Sequence, residues 1–229
     1  MQSISFYPYN NLNIKSIIFD LGGVILDIDS RLTVDAFRQL GANNPESMFT
    51  NAEQVQLLNN FDCGLVTPQE FRDEVRRALG LRVIDSQIDE AWNALLLSWD
   101  LNRLKLIDEL RKEYRVFLLS NTSVIHSDLY NTQLMELTGG RNLKAFFEKV
   151  YYSYEIGLRK PNPAIFEMVI NENNLVPSET LFIDDTLEHV KSAELLGLNT
   201  YHIKPSNGET ILQLFKGMQI GRASCRERV

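Results

Sequence analysis

The chain predicts an α/β fold, an open parallel sheet wound with helices on both faces and interrupted once by an all-helical insertion. Three observations predict it. From Leu101 onward short apolar runs alternate with stretches of helical periodicity. Before that, roughly seventy residues of helical spacing separate the first strand from the rest. Four of the strand-like runs are followed by polar residues that carry chemistry.

The first strand spans about residues 15–20, where Ile17-Ile18-Phe19 runs into Asp20 and then Leu21-Gly22-Gly23. Helical spacing follows in four sets: Leu32, Val34, Phe37 and Leu40; Val55, Leu57, Leu58 and Phe61; Phe71, Val75 and Leu79; Ile88, Trp92, Leu95 and Leu96. Thr67-Pro68-Gln69-Glu70 marks a helix start, with Thr67 as N-cap, Pro68 at the first helical position and Glu70 closing a capping box. The alternation then resumes as helix 101–113, strand 115–120, helix 123–136, strand 149–152, helix 162–173, strand 180–184, helix 187–196, strand 199–203 and helix 208–216. Such alternation implies a Rossmann-like, doubly wound parallel sheet. It divides the chain into a core of residues 14–30 and 100–219 and a four-helix cap of residues 31–99. Residues 1–13 read as an N-terminal extension. The last ten residues, IGRASCRERV, abandon the preceding apolar spacing and read as a non-native scar resembling a translated sequencing adapter.

With 229 residues, 44% of them hydrophobic, the chain can bury the core of one domain with an insertion. Its net charge is −7 and no basic run is present, which argues against a nucleic-acid partner or an anionic membrane surface. The two cysteines, Cys63 and Cys225, are too few for a disulfide framework. No apolar run is long enough to span a bilayer, and the first residues lack the pattern of a signal peptide. The expected location is cytoplasmic, and no residue pattern specifies an oligomeric state.

The polar signals are Asp20, Ser120-Asn121, Lys160-Pro161 and Asp184-Asp185. In a parallel sheet all four line the edge formed by the carboxyl ends of the strands, where open α/β sheets bind ligands. Three carboxylates, a hydroxyl and an ammonium then surround one volume. Acids brought so close repel one another unless a cation sits among them, and hard oxygen ligands suit Mg²⁺. A small-molecule phosphate ester is the natural partner. Taken alone, Lys160 reads as a solvated surface lysine and Asn121 as a helix N-cap.

The order FDLGGV, LLSNT, RKPNPAIF, LFIDDT, with a helical insertion after the first strand, resembles the haloacid dehalogenase superfamily over about residues 14–216. Within it the resemblance is to the phosphatase branch with a small helical cap, and most nearly to the sugar-phosphate phosphatases acting on α-D-glucose 1-phosphate. The resemblance implies a core of that superfamily's fold and roles for individual residues. Asp20 would attack phosphorus, form an aspartyl-phosphate and bind Mg²⁺. Asp185 would be a direct metal ligand, Asp184 would act from behind it or contact Lys160, and the Gly22 carbonyl would complete the protein ligands. Ser120 and the Asn121 backbone would donate to the phosphoryl oxygens, and Lys160 would offset the negative charge. Asp20 and Lys160 are thus the catalytic candidates.

The chain departs from the family in one place. Most members carry a second aspartate two residues after the nucleophile, as general acid and base, and here that position is Gly22. An anomeric leaving oxygen needs less protonation than an ordinary alcohol, which fits a sugar 1-phosphate. Asp27, Asp29 and His126 are candidate substitutes, although turn carboxylates and a helix-start histidine are the plainer readings. Two alternatives remain open: a metal-independent haloacid dehalogenase-type hydrolase, and a phosphate-binding protein without turnover. The cap is expected to cover the site and select the substrate, through residues near Asp62, Cys63, Gly64 or Trp99, of which Trp99 reads as a packing residue.

Overall fold

The computed structural model describes residues 13–217; residues 1–12, and the predicted tail 220–229 with Cys225, lie outside the described residues. Strand β1 (Ser16–Phe19) is buried along its whole length. The reason is its place at the centre of a five-stranded parallel sheet of order β5-β4-β1-β6-β7, with β4 Arg115–Ser120, β5 Lys149–Tyr152, β6 Thr180–Asp184 and β7 Asn199–His202. Alternate side chains serve opposite faces. Ile17 and Phe19 join a cluster with Leu118, Leu181 and Ile183, while Ile18 joins another with Phe117, Leu119 and Phe182. A strand that must feed two cores has to be apolar throughout, which explains the unbroken runs of the sequence.

Phe19 is paired with Leu118 on one side and Ile183 on the other. Asp20, Ser120 and Asp184 therefore come to the same edge of three adjacent strands. The chain runs from β1 outward through β4 to β5, then crosses to β6 and β7 on the other side of β1. That reversal beside β1 is where the loops of a doubly wound sheet part and leave a crevice. Helices α6 (Leu101–Leu110), α7 (Val124–Thr138), α9 (Pro163–Glu172), α10 (Leu187–Glu194) and α11 (Ile211–Gly217) fall within a few residues of the predicted spans, while α8 (Ser153–Ile156) is a single turn not predicted.

Residues 30–93 hold five helical segments where four were expected: α1 (Ser30–Gln39), the short α2 (Ser47–Thr50), α3 (Ala52–Asp62), α4 (Pro68–Leu79) and α5 (Asp85–Asn93). The capping box at Thr67 and Glu70 is present. These helices share a core of their own around Phe37, Met48, Phe61, Phe71 and Trp92, into which Ile125 of α7 also packs. Phe61 and Phe71 stack with centroids 4.0 Å apart.

The predicted fourth helix is cut short. Leu95 and Leu96 fit a helical period, but α5 ends at Asn93, and Leu96–Trp99 forms strand β3, antiparallel to β2 (Leu26–Ile28). Leu96 faces Ile28, Trp99 faces Leu26, and the Asp29 N–H donates to the Leu95 carbonyl at 2.9 Å. A run of three leucines suits either period, and the partner strand decides. The chain thus leaves for the helical insertion and returns from it on two paired strands. Among the described residues no helix is long and apolar enough to cross a membrane.

Candidate active site

Four chain segments meet at the carboxyl edge of the sheet. Asp20 directly follows β1, its N–H donating to the Ile183 carbonyl at 2.9 Å, and the residue is 7% exposed. Lys160 is wholly buried, so the surface reading of this lysine is wrong. Its Nζ donates to Asp20 Oδ1 at 2.8 Å, to Asp184 Oδ2 at 2.6 Å and to the Leu119 carbonyl at 2.8 Å. An ammonium has three protons, and all three are used. Asn121 fixes this lysine from behind: its Oδ1 accepts from the Lys160 N–H and its Nδ2 donates to the Lys160 carbonyl, each at 2.9 Å. Asn121 is therefore not the N-cap of α7. Ser123 is, with its hydroxyl accepting from the His126 N–H.

Asp184 ends β6 with no exposure, and its oxygens are taken up by Lys160, by the Thr186 N–H at 2.8 Å and by His189 Nδ1 at 3.0 and 3.1 Å. Asp185 faces the site with fewer partners, of which Thr186 at 3.3 Å is one. One ligand oxygen each from Asp20, Asp184 and Asp185 lies within 4.8 Å of the others. Burial pushes the Asp20 carboxyl up to about 7, against the pull of Lys160, and the two neighbouring acids add to the rise. Burial and Asp184 likewise raise Asp185. Asp184 is the exception: burial works against its charge, but Lys160 and His189 outweigh it and hold the carboxyl at about 2. One lysine against three carboxylates leaves a surplus of negative charge in a poorly solvated place, which is a site for a cation with oxygen ligands.

The loop after Asp20 is wound tightly. The Leu21 carbonyl accepts from the N–H groups of Val24, Ile25 and Leu26, and the Gly23 N–H donates to the Leu26 carbonyl at 2.9 Å. Gly23 has φ +71°, and a Cβ there would stand 2.3 Å from Asp185 Oδ2. Gly22 has ordinary backbone geometry, and a Cβ on it would meet the end of the Ile28 side chain at 3.0 Å. Arg103 lies beneath the loop and pairs with Asp27 at 2.7 Å. Ser120, the last residue of β4, is buried at the same sheet edge and makes no side-chain hydrogen bond to the described residues.

The haloacid dehalogenase-like hydrolase family model matches residues 14–197. The chain belongs to the haloacid dehalogenase-like hydrolases. This family member is 34% identical, over 85% of its length and 93% of the relative's, to the D-ribitol-5-phosphate phosphatase of Bacteroides thetaiotaomicron. It superposes with a TM-score of 0.81 on the magnesium complex of a haloacid dehalogenase family enzyme from the same organism, 37% identical, covering 89% of this chain and 99% of that one. A haloacid dehalogenase-like hydrolase structure from Porphyromonas gingivalis gives a TM-score of 0.79 at 36% identity, with coverage of 89% and 97%.

The three substitute acids considered for this hydrolase are otherwise engaged. Asp27 is paired with Arg103, and Asp29 caps α1 while gripping Arg31. His126 stacks on Trp92 with centroids 4.9 Å apart, and burial lowers its pKa to about 3, so it stays neutral. Of the cap residues, Trp99 packs edge-on against Tyr130, as expected, and Cys63 is the half-buried C-cap of α3. Gly64 has φ +67°, and a Cβ there would meet the Tyr154 carbonyl at 2.3 Å. Asp62 lies 3.5 Å from Arg159, the residue before Lys160. Arg159 and His189 were not singled out from the sequence. A histidine in the first turn of the helix after an Asp-Asp pair is a signal that would have found the second; nothing local marks the first.

Proposed function

We propose that the chain is a Mg²⁺-dependent phosphatase that hydrolyses a small phosphorylated metabolite, a sugar or sugar-alcohol phosphate, through an aspartyl-phosphate on Asp20. The observation that carries this reading is the convergence of Asp20, Asp184 and Asp185 to within 4.8 Å around one buried lysine. A metal-independent dehalogenase has no use for that acid pair, whose repulsion a cation relieves. The magnesium complex of the similar Bacteroides enzyme and the name of the D-ribitol-5-phosphate phosphatase support the same assignment.

The donor set fits Mg²⁺: carboxylate oxygens of Asp20 and Asp185, with the Gly22 carbonyl nearby in the chain, and Asp184 held back by Lys160, Thr186 and His189. Bound there, the ion supplies charge stabilisation at the phosphoryl oxygens. Asp20 attacks phosphorus, the bond from phosphorus to the ester oxygen breaks as the new one forms, and the departing oxygen takes its proton from water, since Gly22 offers none. Lys160 orients Asp20 through Oδ1 and offsets the charge of the phosphoryl group. Ser120 and the Asn121 backbone donate to the phosphoryl oxygens, while the Asn121 side chain stays committed to Lys160. Water then attacks the aspartyl-phosphate, which releases inorganic phosphate and restores Asp20.

A phosphate-release screen over sugar 1-phosphates, alditol phosphates, nucleotides and aryl phosphates, with and without Mg²⁺, tests the reading. Release that requires Mg²⁺ and favours small polyol esters is expected. Release of halide from 2-haloacids without metal, or phosphate binding with no release from any ester, would contradict it.

A further inference from the structure

A cavity of about 300 Å³ lies between helices α3 and α5 and the loops that carry Asn121 and Arg159. Those two residues are chain neighbours of Ser120 and Lys160, so the cavity borders the phosphate site on the side of the helical insertion. Its walls are of two kinds. Phe49, Leu58 and Trp92 supply apolar surface, and Asp62, Asn59 and Arg159 supply polar groups. The polar groups come from both sides of the seam: Arg159 donates to Asn59 Oδ1 at 2.5 Å and stands 3.5 Å from Asp62 Oδ2. The Arg159 Nε is buried and makes no hydrogen bond to the described residues. Close contact between Gly64 and the Tyr154 carbonyl holds this end of α3 against the core, because no side chain fits between them.

We infer that Asp62 and Arg159 read the hydroxyl groups of the substrate, and that the ligand of this cavity is the uncharged polyol portion of a small monophosphate ester. The inference rests on the phosphatase reading above and names what selects its substrate. The charge of Arg159 is already met by Asp62 and Asn59, so a second phosphate would face the Asp62 carboxylate without a free cation. A hydroxylated chain or ring suits the set, since Asp62 accepts from hydroxyls, an Arg159 Nη–H not taken by Asn59 or Asp62 donates to an oxygen, and the C–H groups rest on the exposed Phe49 ring. The volume is at the small end of the ~300–1,000 Å³ usual for small-molecule sites, which disfavours nucleotides and leaves room for little beyond a monosaccharide or alditol.

The test compares D-ribitol 5-phosphate with phenyl phosphate, which has no hydroxyls on its leaving group, in the full chain with Mg²⁺. In Asp62→Ala and in Arg159→Met the ratio of kcat/KM for the ribitol ester to that for the phenyl ester should fall by about tenfold or more, as removal of a charged hydrogen-bonding partner does. Asp62→Asn, which can still bond a hydroxyl, should retain most of the ratio. Should either variant fail to fold, Asn59→Ala reads the same cluster and should lower the same ratio. An unchanged ratio, or an equal loss for both esters, would overturn the inference while leaving the phosphatase intact. No phosphate release by the wild type from either ester would instead overturn the phosphatase reading itself, and the inference with it.

Discussion

Gly23 and Asp185 share one volume: the carboxylate Oδ2 stands 2.3 Å from where a Cβ on Gly23 would be. The glycine is also at φ +71°, where L-residues are strained. The second glycine of the FDLGGV run is thus tied to the acid pair more than one hundred and sixty residues away. It opens the space in which Asp185 faces Asp20.

Gly23→Ala should therefore cost stability and displace Asp185 together. Backbone strain of this kind costs about 1–3 kcal/mol. Mg²⁺ affinity measured by calorimetry should fall along with the urea midpoint. A variant as stable as the wild type that binds Mg²⁺ equally well would show that this contact does not constrain the site.

Gly22 is a different kind of glycine. Its backbone is ordinary and a Cβ there meets only the flexible end of Ile28, so Gly22→Asp should fold. With no acid at this position, the wild type should release aryl or anomeric leaving groups faster than primary alkyl ones, and an aryl phosphate should give a burst followed by slow turnover. Gly22→Asp should raise steady-state turnover of alkyl phosphates, within the ~10²–10⁴-fold that acid–base groups contribute. Rapid-quench kinetics decides. A wild type without a burst that treats alkyl and anomeric esters alike already has its proton donor elsewhere.

Much of this site is legible in the sequence because strands ending in polar residues force those residues to a common edge. Asp20, Ser120, Asp184 and Asp185 needed only the strand assignments. Lys160 was placed by Pro161 and the following helix, although an isolated lysine suggests the surface, and its burial follows from three acceptors that no local pattern reveals. Asn121, Thr122 and Ser123 offer three candidate caps in a row, and only the register of α7 selects Ser123. Strands β2 and β3 went unread because three or four apolar residues fit either period, and what makes them strands is each other. Arg159 escaped notice since its partners Asn59 and Asp62 are about a hundred residues earlier in the chain.

The Asp62 carboxyl makes a pH prediction. Burial pushes it up to about 6, and Arg159 only partly restrains the rise. The folded protein thus holds a proton that the unfolded chain releases at lower pH. Its ionisation costs stability fully above the folded pKa, and that cost fades as pH falls toward the unfolded value near 4. Asp62→Asn removes the cost. Relative to the wild type it should gain about 1–2 kcal/mol between pH 5 and pH 8, allowing for partial solvent access. Urea denaturation at the two pH values, in the presence of chelator, measures it. A difference that is flat, or that grows toward acid, would show that the carboxyl is not desolvated.

The central claim is that Asp20 is the covalent nucleophile. Because Gly22 leaves hydrolysis of the intermediate without its usual base, an aspartyl-phosphate should accumulate during turnover of an aryl phosphate with Mg²⁺. The most direct measurement is mass spectrometry of the acid-quenched protein after proteolysis. The account predicts one added phosphoryl group on the peptide containing Asp20 in the wild type, and no such peptide and no phosphate release in Asp20→Asn. Full phosphate release by Asp20→Asn, or a phosphoryl group that maps to another residue, would contradict it.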